Sequence, residues 1–316
     1  MRPETVSAAL DVLAIGEPML EFNQRGAASG EGDYLPGYGG DTSNFAVAAV
    51  RQGASVGYFT RLGNDTFGDR FMSLWEREGI DASAVQRDPE AATGIYFISH
   101  DEAGHHFTYY RSGSAASRMR PGDLPLGLIE RTRVLHVSGI SQAISTSACD
   151  AVFEAVATAR AAGRRVSFDP NVRLKLWPAA RARAIVLETA GVADYCLPSL
   201  EDATVLLGEG EPDALADAFL ARGAKCVALK LGPDGVLVAT SDERTRVGGF
   251  SVESVDATGA GDTFDGAFLT EMLRGSSLEE AARYANAAAA LSTRGYGAVD
   301  PIPRRAEVEA WLAEQG

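Results

Sequence analysis

Short apolar runs alternate with longer amphipathic stretches along most of the chain. VLAIGE (12–17) reads as a buried strand; a Gly-rich polar stretch follows, then a helix from about Thr42 to Gln52 that Gly53 ends. VGYFTRLG (56–63) predicts another strand, and DRFMSLWEREG (69–79) an amphipathic helix. RVLHVSGI (133–140), RRVSFDP (164–170), YCLPS (195–199) and KCVALKLG (225–232) each read as strands that end where polar residues or glycine appear. Helical runs such as ACDAVFEAVATARAAG (148–163) separate them. This alternation predicts an α/β fold with a mostly parallel sheet covered by helices on both faces, and ligands at the carboxyl ends of its strands.

Two segments fit that core poorly. The stretch around 17–40 and TGIYFISHDEAGHHFTYYRSGSA (93–115), with a polar DEAG turn between strands, read as a hairpin-rich insert. A chain of 316 residues with 46% hydrophobic content can bury one large core. No apolar stretch reaches membrane-spanning length and MRPETVSAAL lacks a signal-like apolar core, so the expectation is a soluble cytoplasmic protein without a membrane partner. Cys149, Cys196 and Cys226 are scattered without metal-ligand spacing and read as reduced core thiols. His100, His105 and His106 sit at the predicted hairpin turn, and His136 lies in a strand as a buried, satisfied side chain, so no transition-metal site is assigned.

The formal net charge of −14 argues against nucleic acid, whose backbone needs a basic face. An acidic chain that binds a polyphosphate must build a local positive site from metal ions, a helix N-terminus and a few basic residues. One string offers this. In DATGAGDTFDGAF (256–268), Gly259, Ala260 and Gly261 open a helix with uncovered N–H groups, an anion hole, and Asp262 stands beside it as a candidate base for an attacking hydroxyl. Upstream, GYGGDTSN (37–44) places glycines for close ligand approach before Asn44, which offers both a donor and an acceptor at a helix start. FTYYRSGSAAS puts Arg111 after Tyr109 and Tyr110, and SFDPNVRLKLW (167–177) puts Arg173 just past a strand end. Two arginines flanking one pocket suggest a carboxylate or phosphate on the substrate.

The D-x-x-G-A-G-D spacing resembles the C-terminal signature of the ribokinase-like (PfkB) carbohydrate kinases, and GYGGDTSN resembles their first signature. The resemblance runs from the first strand to about residue 300; Ala257 stands where the family usually has Thr, and RLGNDTFGDRF (61–71) matches its strand-to-helix scaffold. It implies a three-layer α/β/α kinase domain, here over 11–310 after a flexible tail at 1–10, with a small β-lid from segments 17–40 and 93–115. It implies ATP and Mg²⁺, room for a monovalent cation, Asp262 as base, Gly259 to Gly261 as anion hole, and a homodimer through the lid or a higher oligomer. Within the family, GGDTSN, YYRSGSA, HVSGISQAI (136–144) and DPNVRLKLW are most similar to 2-keto-3-deoxygluconate kinases. That similarity gives sugar contacts to Gly40, Asn44, Tyr96, Tyr109, Arg111, Ile140 and Arg173, and a reaction at the 6-hydroxyl. Glu21 stands where relatives acting on neutral ribose or fructose commonly have Asp.

On the nucleotide side the resemblance points to Ser199, Lys230, Gly232, Gly235, Gly259, Gly261 and Asn286. Ser199 and Asp202 occupy the place of the family's N-x-x-E motif, which makes Asp202 the candidate Mg²⁺ contact through water. A fructokinase is the alternative enzyme, since DPN-x-R-x-x-LW and YR-x-x-SA occur there in similar form. A non-catalytic sugar-acid-binding protein is the alternative of another class, and the intact Asp262 string disfavours it. A nicotinamide-binding Rossmann protein is weaker still, because no strand precedes a GxGxxG.

Overall fold

The structure is a computed structural model that describes residues 10–24, 33–101 and 104–315. In chain order the strands are β1 (Val12–Ile15), β2 (Met19–Gln24), β3 (Tyr34–Gly39), β4 (Val56–Phe59), β5 (Arg61–Gly63), β6 (Gln86–Asp88), β7 (Gly94–Asp101) and β8 (Gly104–Tyr110). They continue with β9 (Val134–Ser138), β10 (Arg165–Asp169), β11 (Tyr195–Cys196), β12 (Cys226–Lys230), β13 (Val236–Thr240) and β14 (Arg244–Val247). The helices are α1 (Asp41–Arg51), α2 (Thr66–Glu78), α3 (Leu126–Ile129), α4 (Gly139–Ala143), α5 (Thr146–Ala161) and α6 (Ala179–Ala190). After them come α7 (Leu200–Leu207), α8 (Pro212–Leu220), α9 (Ala260–Arg274), α10 (Leu278–Ser292) and α11 (Arg305–Glu314).

The main sheet runs β14-β13-β12-β11-β10-β9-β1-β4, parallel from β12 to β4 and antiparallel at β13 and β14. Strand alternation divides its side chains between two cores. Val12 and Ala14 face one way, with Val56, Tyr58 and Val134, and pack under α1, α9 and α10; Leu13 and Ile15 face the other, with Phe59, Leu135 and Val137, under α5, α6 and α8. Every β1 side chain is therefore buried, which is why VLAI carries no polar position.

Most predicted elements lie within a few residues of their observed bounds, and local chemistry explains the shifts. Asp65 accepts from the N–H of Gly68 and starts α2 at Thr66, ahead of the predicted 69, while Ser145 caps α5 by accepting from Ala148. The predicted strand 56–63 divides at Thr60. Its second part, β5, leaves the main sheet to pair with β6, and the Arg61 guanidinium reaches Asp88 and Asp123. Strand 133–140 ends at Ser138, whose hydroxyl caps α4. The last helix reaches Glu314, beyond the expected bound of 310. The expected tail at 1–10 lies, apart from Leu10, outside the described residues.

The two awkward segments form a second sheet in the order β3-β2-β7-β8, with β2 and β7 parallel and both outer pairs antiparallel. This is the expected β-lid. Phe22, Phe97, Tyr34 and Tyr110 pack on one another across it, as do Tyr96, Phe107 and Tyr109.

Candidate active site

Parallel strands deliver their carboxyl ends to one edge of the sheet, and the polar residues of the chain collect there. Asp169 ends β10, Lys230 ends β12, and α1 and α9 start nearby with Asp41 and Asp262 in their first turns. Gly259 precedes α9 at φ 76°, a left-handed conformation suited to glycine, and no side chain caps this helix start. Within the first turn the Ala260 N–H already donates to the Ala257 carbonyl at 3.2 Å and the Thr263 N–H to the Gly259 carbonyl at 2.9 Å, so the anion hole expected from the glycine string would have to draw on the N–H groups between them.

Asp262 is partly buried, and its Oδ2 accepts from Asn44 Nδ2 at 2.8 Å, a contact that joins α1 to α9. The other end of that amide, Asn44 Oδ1, is buried and has no hydrogen-bond partner among the described residues, which leaves one acceptor unused. Burial, helped by the charges of Asp41 and Asp169, pushes the Asp262 carboxyl up to about 7; the Asn44 bond and Lys230 oppose it. Buried Asp41 is likewise raised, by desolvation. Lys230 donates to both oxygens of Asp265 at 2.9 Å and approaches Asp169 at 3.4 Å. Burial disfavours its charge, yet those two carboxylates outweigh it and hold the ammonium above its ordinary value. A Cβ on Gly261 would stand 3.7 Å from Lys230 Nζ, so this cation borders the anion hole.

Of the residues expected to contact a sugar, Tyr96 and Tyr109 lie in the second sheet, Gly40 and Arg111 directly follow its strands, and Asn44, Ile140 and Arg173 belong to the core. Gly40 caps α1 at φ 97°, and a side chain there would meet the Glu17 carbonyl oxygen at 2.3 Å. Tyr96 is buried, and its hydroxyl donates to Glu21, whose own carboxyl is raised by burial and by Asp256 and Asp300. The charge of Asp262 also bears on Tyr96. Tyr109, exposed on the sheet, feels both Arg111 and Arg173. Arg111 donates from Nε and Nη2 to Glu17, and Arg173 is exposed, with Nη1 on the carbonyl of Val172 at 2.9 Å. Ile140 stands in the first turn of α4 rather than at a strand end, and its neighbour Gly139 closely approaches the Pro170 carbonyl.

The nucleotide-side candidates are more dispersed in their local roles. Ser199 and Asp202 form a capping box at the start of α7: Ser199 accepts from the Asp202 N–H, and the Asp202 carboxylate accepts from the Ser199 N–H and hydroxyl. The second Asp202 oxygen accepts from Val172 N–H at 2.7 Å. Gly232 opens a short turn with free space above it, whereas the close approach at Gly235 is made by the chain's own segment 247–249. Asn286 donates to the carbonyls of Val247 and Gly248, and so fixes the strand end next to that turn. Among the described residues no group of three or more His, Cys, Asp or Glu is arranged to hold a metal ion. His136 is buried against Phe45 and bonded to Ser167 at 3.0 Å, as expected; burial lowers its pKa to about 3.

Four acidic residues escaped the sequence reading as site members. Asp265 had a signal, since it follows Asp262 by three positions and shares its helix face. Asp41 and Asp169 sit inside strings already singled out, GGDTSN and SFDPN, where neighbouring residues drew the attention. Glu17 had only its place at the carboxyl end of the predicted first strand, where Glu21 drew the attention instead.

Residues 10–305 match the family described as pfkB family carbohydrate kinase. The chain is 34% identical to a 2-dehydro-3-deoxygluconokinase of Bacillus subtilis over 97% of this chain and 96% of that protein. It is 31% identical to fructokinase-2 of Zea mays over 96% of this chain and 94% of that protein. Among solved structures, a Vibrio cholerae fructokinase bound to fructose, ADP and calcium superposes with a TM-score of 0.86 at 28% identity, covering 96% of this chain and 99% of that one.

Proposed function

Because the chain belongs to the pfkB family of carbohydrate kinases, we propose that it transfers the γ-phosphoryl group of ATP to the 6-hydroxyl of the sugar acid 2-keto-3-deoxygluconate. What supports the acid is a pair of guanidinium groups whose charges both bear on Tyr109 and Asp41: Arg111, over the Tyr109 ring at 5.9 Å, and Arg173. Arg111 is already paired with Glu17, so a carboxylate on the sugar would give Arg173 the partner it lacks among the described residues. Asn44 holds Asp262 and keeps one buried acceptor open, an arrangement suited to orienting a sugar hydroxyl toward the carboxylate. The start of α9 would supply positive potential for the transferring phosphoryl group, and Lys230 beside it, though held by Asp265 and Asp169, would offer an N–H donor.

The residues fit MgATP. Kinase Mg²⁺ is held mostly by phosphate oxygens and water with one or two carboxylates, so no protein cage is needed, and Asp202 remains the proposed contact through water. When bound, the metal neutralises charge on the transferring group. A fructokinase is the second reading, favoured by the pairing of Arg111 with Glu17, which cancels one of the two pocket charges.

A coupled assay with MgATP decides between them. The expected order places 2-keto-3-deoxygluconate above 2-keto-3-deoxygalactonate, fructose and ribose in kcat/KM, and Arg173→Ala should lower it for the acids by about tenfold or more. Fructose as the best substrate would overturn the sugar-acid reading, and turnover of none of the four would favour a binding protein.

A further inference from the structure

Glu17 lies in the turn between β1 and β2 and is fully buried. Its Oε2 accepts from Arg111 Nε at 2.8 Å and from Nη2, and its Oε1 accepts from the Ser114 hydroxyl. Both lid hairpins meet the core around it. Gly94, at the start of β7, would bring a Cβ to 3.1 Å from Glu17 Oε1, and Gly40, after β3, faces the Glu17 carbonyl. A guanidinium fork held through two of its nitrogens has a fixed plane, and Nη1 takes no part in that pair. Arg111 is almost wholly buried in the pair, at 10% side-chain exposure, so it cannot trade Glu17 for water. Arg173, by contrast, makes no ion pair among the described residues, and its Nη1 rests on a backbone carbonyl.

We propose that Glu17 is a positioning residue of the sugar pocket, which fixes Arg111 and cancels its charge so that Arg173 carries the unmatched positive charge an anionic sugar meets. The inference rests on the kinase reading above for its ligand. It assigns different work to two arginines that look alike in sequence: Arg111 offers a fixed donor, Arg173 a net charge. Glu17 thereby sets how strongly the pocket prefers an acid to a neutral sugar of similar size.

The test is the ratio of affinities for 2-keto-3-deoxygluconate and fructose, measured by calorimetry on the full-length protein. Glu17→Gln keeps the shape and an acceptor for Arg111 but removes the negative charge, so the ratio should move toward the acid by about tenfold. A purely structural role would weaken both sugars together, and an unchanged ratio, or a shift toward fructose, overturns the proposal. Arg173→Met, at an exposed position, should move the ratio about tenfold toward fructose; no change there overturns it equally, even if the Glu17 variant fails to fold. Combining Glu17→Gln with Arg173→Met should restore the ratio to within about threefold of wild type, because the freed Arg111 charge replaces the lost one, and a further fall toward fructose refutes the charge balance. Wild-type preference for fructose would count against the sugar-acid substrate, whereas the direction of the Glu17→Gln shift is read relative to wild type whichever sugar it prefers.

Discussion

Asp262 titrates near 7 because burial, Asp41 and Asp169 disfavour its charge while Asn44 and Lys230 favour it. A base must be ionised to accept a proton, so kcat/KM should rise with pH through about 7 and level off above it, as a pH-rate profile would reveal. Asp262→Asn keeps the shape and loses the acceptor; turnover should fall by about two to four orders of magnitude with sugar and nucleotide binding nearly intact. Near-normal turnover would remove Asp262 from the mechanism. The same group has a stability consequence with a definite sign. Its folded value lies above the ordinary 3.8, so the native state holds the proton more tightly than the unfolded chain, and stability is lost as pH rises toward about 7. Asn carries no such charge. Thermal melts should therefore show Asp262→Asn gaining on wild type between about pH 4 and about pH 7 and holding that gain above it, and a constant difference across that range would contradict the assigned shift.

Helix starts and strand ends are where single residues acquire a role. Ser199 and Asp202, which stand in the place of the N-x-x-E motif, are a complete capping box on α7, and one Asp202 oxygen is also bound to the Val172 N–H. Ser199→Ala should cost about 1 kcal/mol in denaturant unfolding through the lost cap. Its KM for MgATP is the second readout: a rise beyond about threefold supports a nucleotide role beyond capping, and an unchanged value assigns Ser199 to the helix alone. The existence and type of these elements were legible from alternation, amphipathic spacing and punctuating glycines. Their bounds were less so, because Asp65, Ser138 and Ser145 start their helices through side-chain bonds that hydropathy does not register. The division of 56–63 into β4 and β5 was not legible either, since it depends on Arg61 meeting Asp88 and Asp123 from other parts of the chain.

The molecule as a whole presents an aromatic lid. Tyr34, Leu35, Phe107, Tyr109 and Tyr110 are exposed on it, and β3 and β8 are open edges. A two-fold pairing of identical lids would cover both features, so light scattering at micromolar concentration should report a homodimer, and Phe107→Glu a monomer. A wild-type monomer with and without sugar would refute the pairing and leave the kinase reading untouched. The α/β architecture, the hairpin-rich insert and the glycine-led start of α9 with Asp262 in its first turn are properties of contiguous residues: strand alternation, turn glycines and a helix start act over a few positions, so sequence alone determined them. The charge balance of the cleft belongs to the tertiary structure. Asn44 reaches Asp262 across 218 positions, Arg111 reaches Glu17 across 94, and Lys230 settles between Asp169 and Asp265. Parallel strands bring these groups to one sheet edge and packing strips their water, and a carboxylate's ionisation depends on that distance and burial rather than on its neighbours in the chain.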